Sequence, residues 1–588
     1  MTQTKFKLNR KALFGLMVLA AAGAMPVQAA TITVDPTAAD AAVGGDGKCS
    51  LREAVIQVNT GVNSVECVNS STDAYGTNDT ITLPAGTYNL TVTGLDESAS
   101  GIAPNFAVNN VPNAAIGDID IMKSVRLVGA GADATIIQWG AAVLEANRDR
   151  IFHVYTTAVA TVNVAIEGVT IQGGRTFEQV LATGAPGLPG DPILYDYYFR
   201  RAGGGLAVGA GANVAKINPL LVGDENSAGR GGSKRPGDTA PAATFSLTLT
   251  GVKVLANQAQ GDGAGIYSGA PMAATKVMVS GNTSTVNGGG IYNEGITSVT
   301  NSTISGNKAE GGGGVFLTGS NTVTISGTTL SGNRAIGGGA ISCRATVTIN
   351  MDNSTLSGNL GDDVGAGFYS NGPASLRFVT IANNISGADA PTAGSGINVF
   401  PSGAVAVALK NVLLAANKVG WDSTAEPNGP ADPAALASAN CGYTGSSLAI
   451  TSSGNNLSSD VSCTTLNLAT DKNNVDPKIG ALADNNAGTT GTTLTHALLA
   501  GSPALGAGGS VVGITTDQRG VTRETPPDIG AFEFVTPAAP ATTTTSDSGG
   551  GGGGCAIGGD GRFDPSLPAL LAAGLGFFGW RRFKAGDK

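Results

Sequence analysis

Ser280-Gly-Asn282, Ser305-Gly-Asn307, Ser331-Gly-Asn333 and Ser357-Gly-Asn359 repeat one phrase. A second phrase alternates with it: Gly263-Ala-Gly-Ile-Tyr267, Gly288-Gly-Gly-Ile-Tyr292, Gly312-Gly-Gly-Val-Phe316, Gly337-Gly-Gly-Ala-Ile341 and Gly365-Ala-Gly-Phe-Tyr369. The recurring asparagines, from Asn257 to Asn383, are spaced 25, 25, 26, 26 and 24 residues apart. Each unit holds short alternating segments such as Val323-Thr-Ile-Ser326, bounded by Gly or Asn. Such a unit cannot bury its own apolar face, whereas stacked turns of a solenoid can. Gly and Asn recur because bends need φ > 0, which these residues adopt most easily. Stacked Asn side chains can also hydrogen-bond along the column. The repeat therefore predicts an all-β chain, a single-stranded right-handed parallel β-helix. Missing Leu periodicity excludes leucine-rich repeats, and the short unit excludes a propeller.

Outward from the repeat, an earlier turn shows at Val164-Ala-Ile-Glu-Gly-Val-Thr-Ile171 and Gly203-Gly-Gly-Leu-Ala207. Two insertions, near 176–200 and 212–243, read as loops projecting from one side. The first holds Tyr195, Tyr197, Tyr198 and Phe199, a candidate sugar-stacking or partner patch in a chain with only 5% aromatics, the alternative being that these rings pack the loop against the coil. Composition agrees with a neutral β protein: 88 of 588 residues are Gly, 13% are charged and 41% are apolar. That balance excludes collagen, which needs a strict three-residue glycine period, and disorder over most of the length.

Both ends carry transport signals. Lys5, Lys7, Arg10 and Lys11 precede an apolar run from Ala12 to Ala24 and a small-residue site at Val27-Gln28-Ala29. This is the pattern of a secretory signal peptide cleaved after Ala29 or Ala30. After Phe534 come a Pro/Ala/Thr stretch, six glycines from Gly549 to Gly554, and Cys555. The apolar stretch Leu567–Trp580 follows, closed by Arg581, Arg582 and Lys584. It is shorter than the roughly 17–25 residues that span a bilayer comfortably. Removing a leader of +4 and a tail of +2 from a chain of −9 leaves a mature body near −15. Nucleic acid is not an expected partner of such a body.

Cysteine use fits export. Cys49/Cys67 and Cys441/Cys463 are local pairs with 17 and 21 intervening residues, expected as disulfides in an oxidising compartment. Cys343, inside the repeat, reads as a small buried hydrophobe. No catalytic, cofactor-binding or metal-ligating set emerges. The acids Asp262, Glu294, Glu310, Asp352 and Asp362 fall in different phases of the repeat, and Asp362-Asp363 is expected in a bend. His153 alternates along a strand, packed or facing solvent, and His496 reads as structural.

Further phrases carry a family resemblance. Gly47-Lys48-Cys49-Ser50-Leu51-Arg52-Glu53-Ala54 resembles the CSLREA motif that opens a family of exported bacterial β-helix proteins, and Asp79-Thr-Ile-Thr-Leu-Pro-Ala-Gly-Thr-Tyr88 resembles the strand and turn that follow it there. Leu482-Ala-Asp-Asn485, Thr495-His-Ala-Leu-Leu499, Gly501-Ser-Pro-Ala504, Thr516-Asp-Gln-Arg-Gly520 and Asp528-Ile-Gly-Ala-Phe-Glu533 resemble the choice-of-anchor Q domain. Gly506 departs from that pattern, in which an Asp is usual. The tail from Gly554-Cys555 onward, with Arg562-Phe563-Asp564-Pro565, is similar to CTERM sorting tails of the JDVT type. That likeness implies a sorting intramembrane protease as partner, and processing at Gly554 and Cys555. Physically, Ser50 can N-cap a short helix whose Arg52 and Glu53 pair or touch the first coil. Asp517/Arg519 and Asp528/Glu533 suit a buried closure rather than an acid/base pair.

The expected organisation is a signal peptide at 1–29, an N-terminal cap and first coils at 30–130, and the β-helix at 131–420. A choice-of-anchor Q-like region at 421–534, a tether at 535–554 and a sorting signal with a short transmembrane helix at 555–588 complete it. The expected protein is exported to a Gram-negative-type cell surface or outer membrane, or secreted after tail processing. There it acts as a non-catalytic adhesin-like or structural module, held to the membrane by its tail and open to a surface glycan or matrix partner. The alternative is a polysaccharide lyase or hydrolase of the β-helix class.

Overall fold

The computed structural model describes residues 29–40, 45–71, 73–76, 78–93, 114–154, 160–176, 203–208, 244–319, 321–387, 394–400, 407–443, 449–486 and 493–535. The expected leader, tether, Gly554, Cys555 and sorting tail lie outside these residues. So do Tyr195, Tyr197, Tyr198, Phe199 and almost all of both insertions. Among the described residues no helix is long and apolar enough to cross a membrane.

Successive turns each add one short strand to three long parallel sheets, and the chain is an all-β parallel β-helix. The first sheet runs from Thr31–Thr33 to Ile450–Ser452 and the second from Gly86–Leu90 to Lys472–Asn473, each with 12 strands. The third runs from Ile119–Ile121 to Cys441–Tyr443 with 10. Register follows the repeat: Val299 pairs with Ile325 in the first sheet, Ile304 with Leu330 in the second, and Val315 with Ile341 in the third. Side chains alternate in and out along each strand. The inward residues, such as Val299, Ile304, Val315 and Leu317, are no more than 1% exposed. Each turn gains this burial only when its neighbour is present, worth about 1.5–3 kcal/mol for each large side chain.

The bends explain the repeated phrases. Ala256, Gly281, Gly306, Gly332, Gly358, Asn383 and Ala416 occupy one column, all with left-handed φ. The next residue of each turn, Asn257, Asn282, Asn307, Asn333, Asn359, Asn384 and Asn417, forms a buried ladder that ends on Asn440. The ladder therefore continues through Asn384, and Asn383 takes the bend position before it. The phrase starting at Gly337 is also shifted by one, because Gly338 holds the left-handed place of Gly288 and Gly312.

The N-terminal helix Leu51–Thr60 opens on a reciprocal cap. The Ser50 hydroxyl accepts the Glu53 N–H at 3.2 Å, and the Glu53 carboxylate accepts the Ser50 N–H at 2.9 Å. Arg52 is fully buried, paired with Asp40 at 2.8 Å, and donates to the carbonyls of Ala114, Gly117 and Asp118. This helix is thus pinned to the first coil. Cys49–Cys67 and Cys441–Cys463 form disulfides, and Cys343 is free and buried, its thiol pushed up to about 11 by desolvation.

The closing region is buried and hydrogen-bonded, and it lies along the second sheet rather than only over the last turn. Gln518 meets Thr329 and Thr355, Thr380 accepts the Ala531 N–H, and His496 Nε2 lies 2.8 Å from Ser357 Oγ. Leu498, Ala504, Ile529 and Phe532 cover Leu413 and Leu457. Asp517 binds Arg519 at 2.7 Å, while Glu533 binds Arg523 at 2.9 Å.

Candidate functional site

Chemistry gathers on the outer side of the third sheet. Its strands are mostly three residues long, with the first and last turned inward and the middle one outward. In order the middle residues are Asp120, His153, Ala207, Tyr267, Tyr292, Phe316, Ser342, Tyr369, Asn398 and Gly442. The equivalent column of the first sheet is plainer, with Thr248, Ala273, Ser298, Thr324, Asn350 and Ser375.

In the middle of this face, Tyr267, Tyr292 and Phe316 stack in parallel, with centroids 5.2 and 5.5 Å apart and planes within 6°. One-turn register produces the stack: strands about 4.8 Å apart bring rings at equivalent positions into contact. Arg344 lies 5.0 Å over the Phe316 ring and ends the stack. Glu294 lies beside the phenol edge, where Tyr267 and Tyr292 hydroxyls donate to its Oε1 at 3.4 and 3.3 Å. Asp262 accepts the Asn287 N–H and side-chain amide, both at 3.0 Å.

The electrostatics are coupled across these residues. Burial raises the Asp262 carboxyl to about 6, against two hydrogen bonds from Asn287, with the Glu294 charge adding to the rise. Burial and the same two carboxylates hold the Tyr292 hydroxyl well above the usual phenol range. Burial also lowers Arg344. Different sequence phases thus do not keep Asp262 and Glu294 apart, contrary to expectation. They flank one column of rings and both act on Tyr292. The remaining acids behave otherwise. Asp352 pairs with Arg377 and Asp362 with Arg334, at 2.6 and 2.7 Å. Asp362 and Asp363 lie in the strand Leu360–Val364, not in a bend.

A second cluster sits at the N-terminal end of the same face. His153 is buried, with Nδ1 2.9 Å from Asp120 Oδ1. Asp118 is buried beside them, its Oδ2 3.3 Å from Arg150 Nε, and Asp149 lies 3.7 Å from the same nitrogen. The backbone that presents both aspartates is held by the N-terminal helix: Arg52 binds the Asp118 carbonyl and Asn59 the Asp120 carbonyl. Sequence reasoning passed over Asp118 and Asp120. The signal was there in Asp118-Ile-Asp120-Ile, whose alternation puts two carboxylates on one side of a strand. His496 is structural as read: Nδ1 meets the Gly480 carbonyl at 2.7 Å, and burial lowers its pKa.

No protein-family model and no curated protein matches the chain. Among solved structures, pectate lyase Pel9A matches with 13% identity over 86% of this chain and 96% of that one, at a TM-score of 0.42. The A-module of Azotobacter vinelandii mannuronan C-5 epimerase AlgE4 matches with 13% identity, covering 71% and 99%, at 0.30. DFA-IIIase from Arthrobacter chlorophenolicus A6 matches with 13% identity, covering 73% and 94%, at 0.26.

Proposed function

We propose that this protein is an exported, surface-held β-helix that binds an extended glycan along the outer side of its third sheet without cleaving it. The observation that carries this reading is the Tyr267–Tyr292–Phe316 stack, flanked by Asp262, Glu294 and Arg344. Aromatic surface next to paired donors and acceptors suits a sugar, which offers apolar ring faces and hydroxyls. Tyr267, Tyr369, Asp262, Glu294 and Arg344 are half-buried, so their edges meet solvent, while Tyr292 and Phe316 lie underneath. Both carboxylates are engaged, Glu294 by two phenols and Asp262 by Asn287, which favours holding over turnover. Two disulfides support an oxidising compartment and hence export. Retention at the surface rests on the tail that resembles sorting signals.

Glycan-array binding tests the reading. Wild type should retain a set of oligosaccharides, and Tyr267→Ala should lose at least tenfold in affinity; equal binding by the variant rejects this face as the site. One observation favours a hydrolase instead: a carboxylic acid raised to about 6 near a second carboxylate is a general-acid arrangement. Reducing sugar released by wild type but not by Asp262→Asn or Glu294→Gln would establish that alternative.

A further inference from the structure

We infer that Asp118, Asp120 and His153 form a site for a transition-metal dication of the Zn²⁺ or Mn²⁺ class. One donor atom from each residue lies within 4.8 Å of the others, and all three side chains are buried. The set joins two successive turns, because Asp120 and His153 are partners in the parallel register of Ile119–Ile121 with Phe152–Val154.

Asp120 supplies an independent sign of a missing charge. Its side chain is 0% exposed, yet neither carboxylate oxygen accepts a hydrogen bond. Oδ1 nonetheless approaches His153 Nδ1 to 2.9 Å. Two donor atoms each about 2.0–2.2 Å from one ion stand about 3 Å apart at an octahedral right angle and about 3.4 Å apart at a tetrahedral one. The contact therefore lies within reach of one ion and nearest the octahedral spacing. A buried carboxylate whose one close polar partner is the His153 ring is costly to hold charged, and a cation offsets that cost directly.

The donor set selects the metal class. One imidazole and two carboxylates suit Zn²⁺, Mn²⁺ and their neighbours, whereas Ca²⁺ asks for six to eight oxygens. Arg150 holds the Asp118 carboxylate from the side, and Arg52 with Asn59 fixes the backbone that carries both aspartates. Such outer contacts orient metal ligands. The bound ion would cross-link the first two turns of the third sheet, where the N-terminal helix docks.

The test uses the full chain, stripped with EDTA, reloaded with Zn²⁺, Mn²⁺ or Ca²⁺, and read by calorimetry and elemental analysis. One equivalent of Zn²⁺ or Mn²⁺ should bind and raise the melting temperature. Asp120→Asn and His153→Gln should each weaken binding at least tenfold with the circular dichroism of the body retained. Wild type needs no variant to decide the matter: failure to take up one equivalent overturns the site. Tighter binding of Ca²⁺, or unchanged affinity in folded Asp120→Asn, overturns it as well. None of these outcomes depends on glycan binding.

Discussion

Asn307 takes two hydrogen bonds from Asn282 at a single atom. Its Oδ1 accepts the Asn282 backbone N–H at 3.0 Å and the Asn282 side-chain amide at 2.9 Å. Asn307 passes the pattern on to Asn333 and also donates to the Val279 carbonyl. Every partner is buried from water, so truncation leaves donors with nothing to bind. Asn307→Ala should cost about 2–4 kcal/mol. Urea denaturation followed by circular dichroism checks this. A cost under about 0.5 kcal/mol would mean that the ladder relaxes around the gap.

Two glycines separate steric from conformational need. At Gly290 an added Cβ would stand 2.6 Å from the Gly314 carbonyl and 3.0 Å from Asn307 Nδ2, so the crowding lies against the ladder itself. Gly251 has φ +60 and open space around it, and Lys276, Asn301, Asn353 and Asn411 hold the same bend with left-handed φ. Gly290→Ala should therefore lower the melting temperature clearly. Gly251→Ala should cost about 1 kcal/mol, and Gly251→Asn should be nearly neutral.

The contact between the closing region and the bends that lead into the second sheet turns on Arg523. It binds Glu533 at 2.9 Å and the Asn353 side chain at 2.9 Å, and lies 3.8 Å over the Phe378 ring. Glu533 also accepts the N–H groups of Glu524 and Asp528. Glu533→Gln removes the carboxylate paired directly with the buried guanidinium, leaving only the more distant Asp517 and Asp528 charges, and should cost up to about 3–5 kcal/mol. Limited proteolysis should then cut within 493–534 before the solenoid is attacked. Simultaneous loss of both parts would show that they unfold as one.

The fold was legible because a solenoid writes its geometry once per turn. Left-handed bends demand Gly or Asn, and the buried ladder demands Asn, so identity and spacing both survive in the sequence. The same degeneracy hid one detail: at Asn383-Asn384 either residue satisfies either demand, and only the hydrogen bonds assign them. The candidate site was less legible because it is assembled across turns. Asp262 and Glu294 are 32 positions apart, and both act on Tyr292 only once successive turns are stacked. No linear spacing rule links them. Asp118 and Asp120 were readable as an alternating pair, but their link to His153 needed the register.

Asp262 gives the sharpest test of that assembly. Its folded carboxyl is raised from 3.8 to about 6, with burial the leading cause. A carboxyl raised in the folded state binds its proton more tightly there than in the unfolded chain. Its contribution is therefore fully present below pH 3.8 and is lost as pH climbs towards 6; above that, the buried charge opposes folding. Asp262→Asn removes the charge and keeps an oxygen for the two Asn287 donors. The variant should be more stable than wild type at pH 7.5, by up to about 2–3 kcal/mol. The difference should shrink through pH 6 to 4 and vanish below. Melting temperature against pH for the two proteins reads this directly. A constant difference at all pH values would mean that Asp262 keeps its ordinary acidity, and that the Tyr267–Tyr292 flank is wetter than its packing implies.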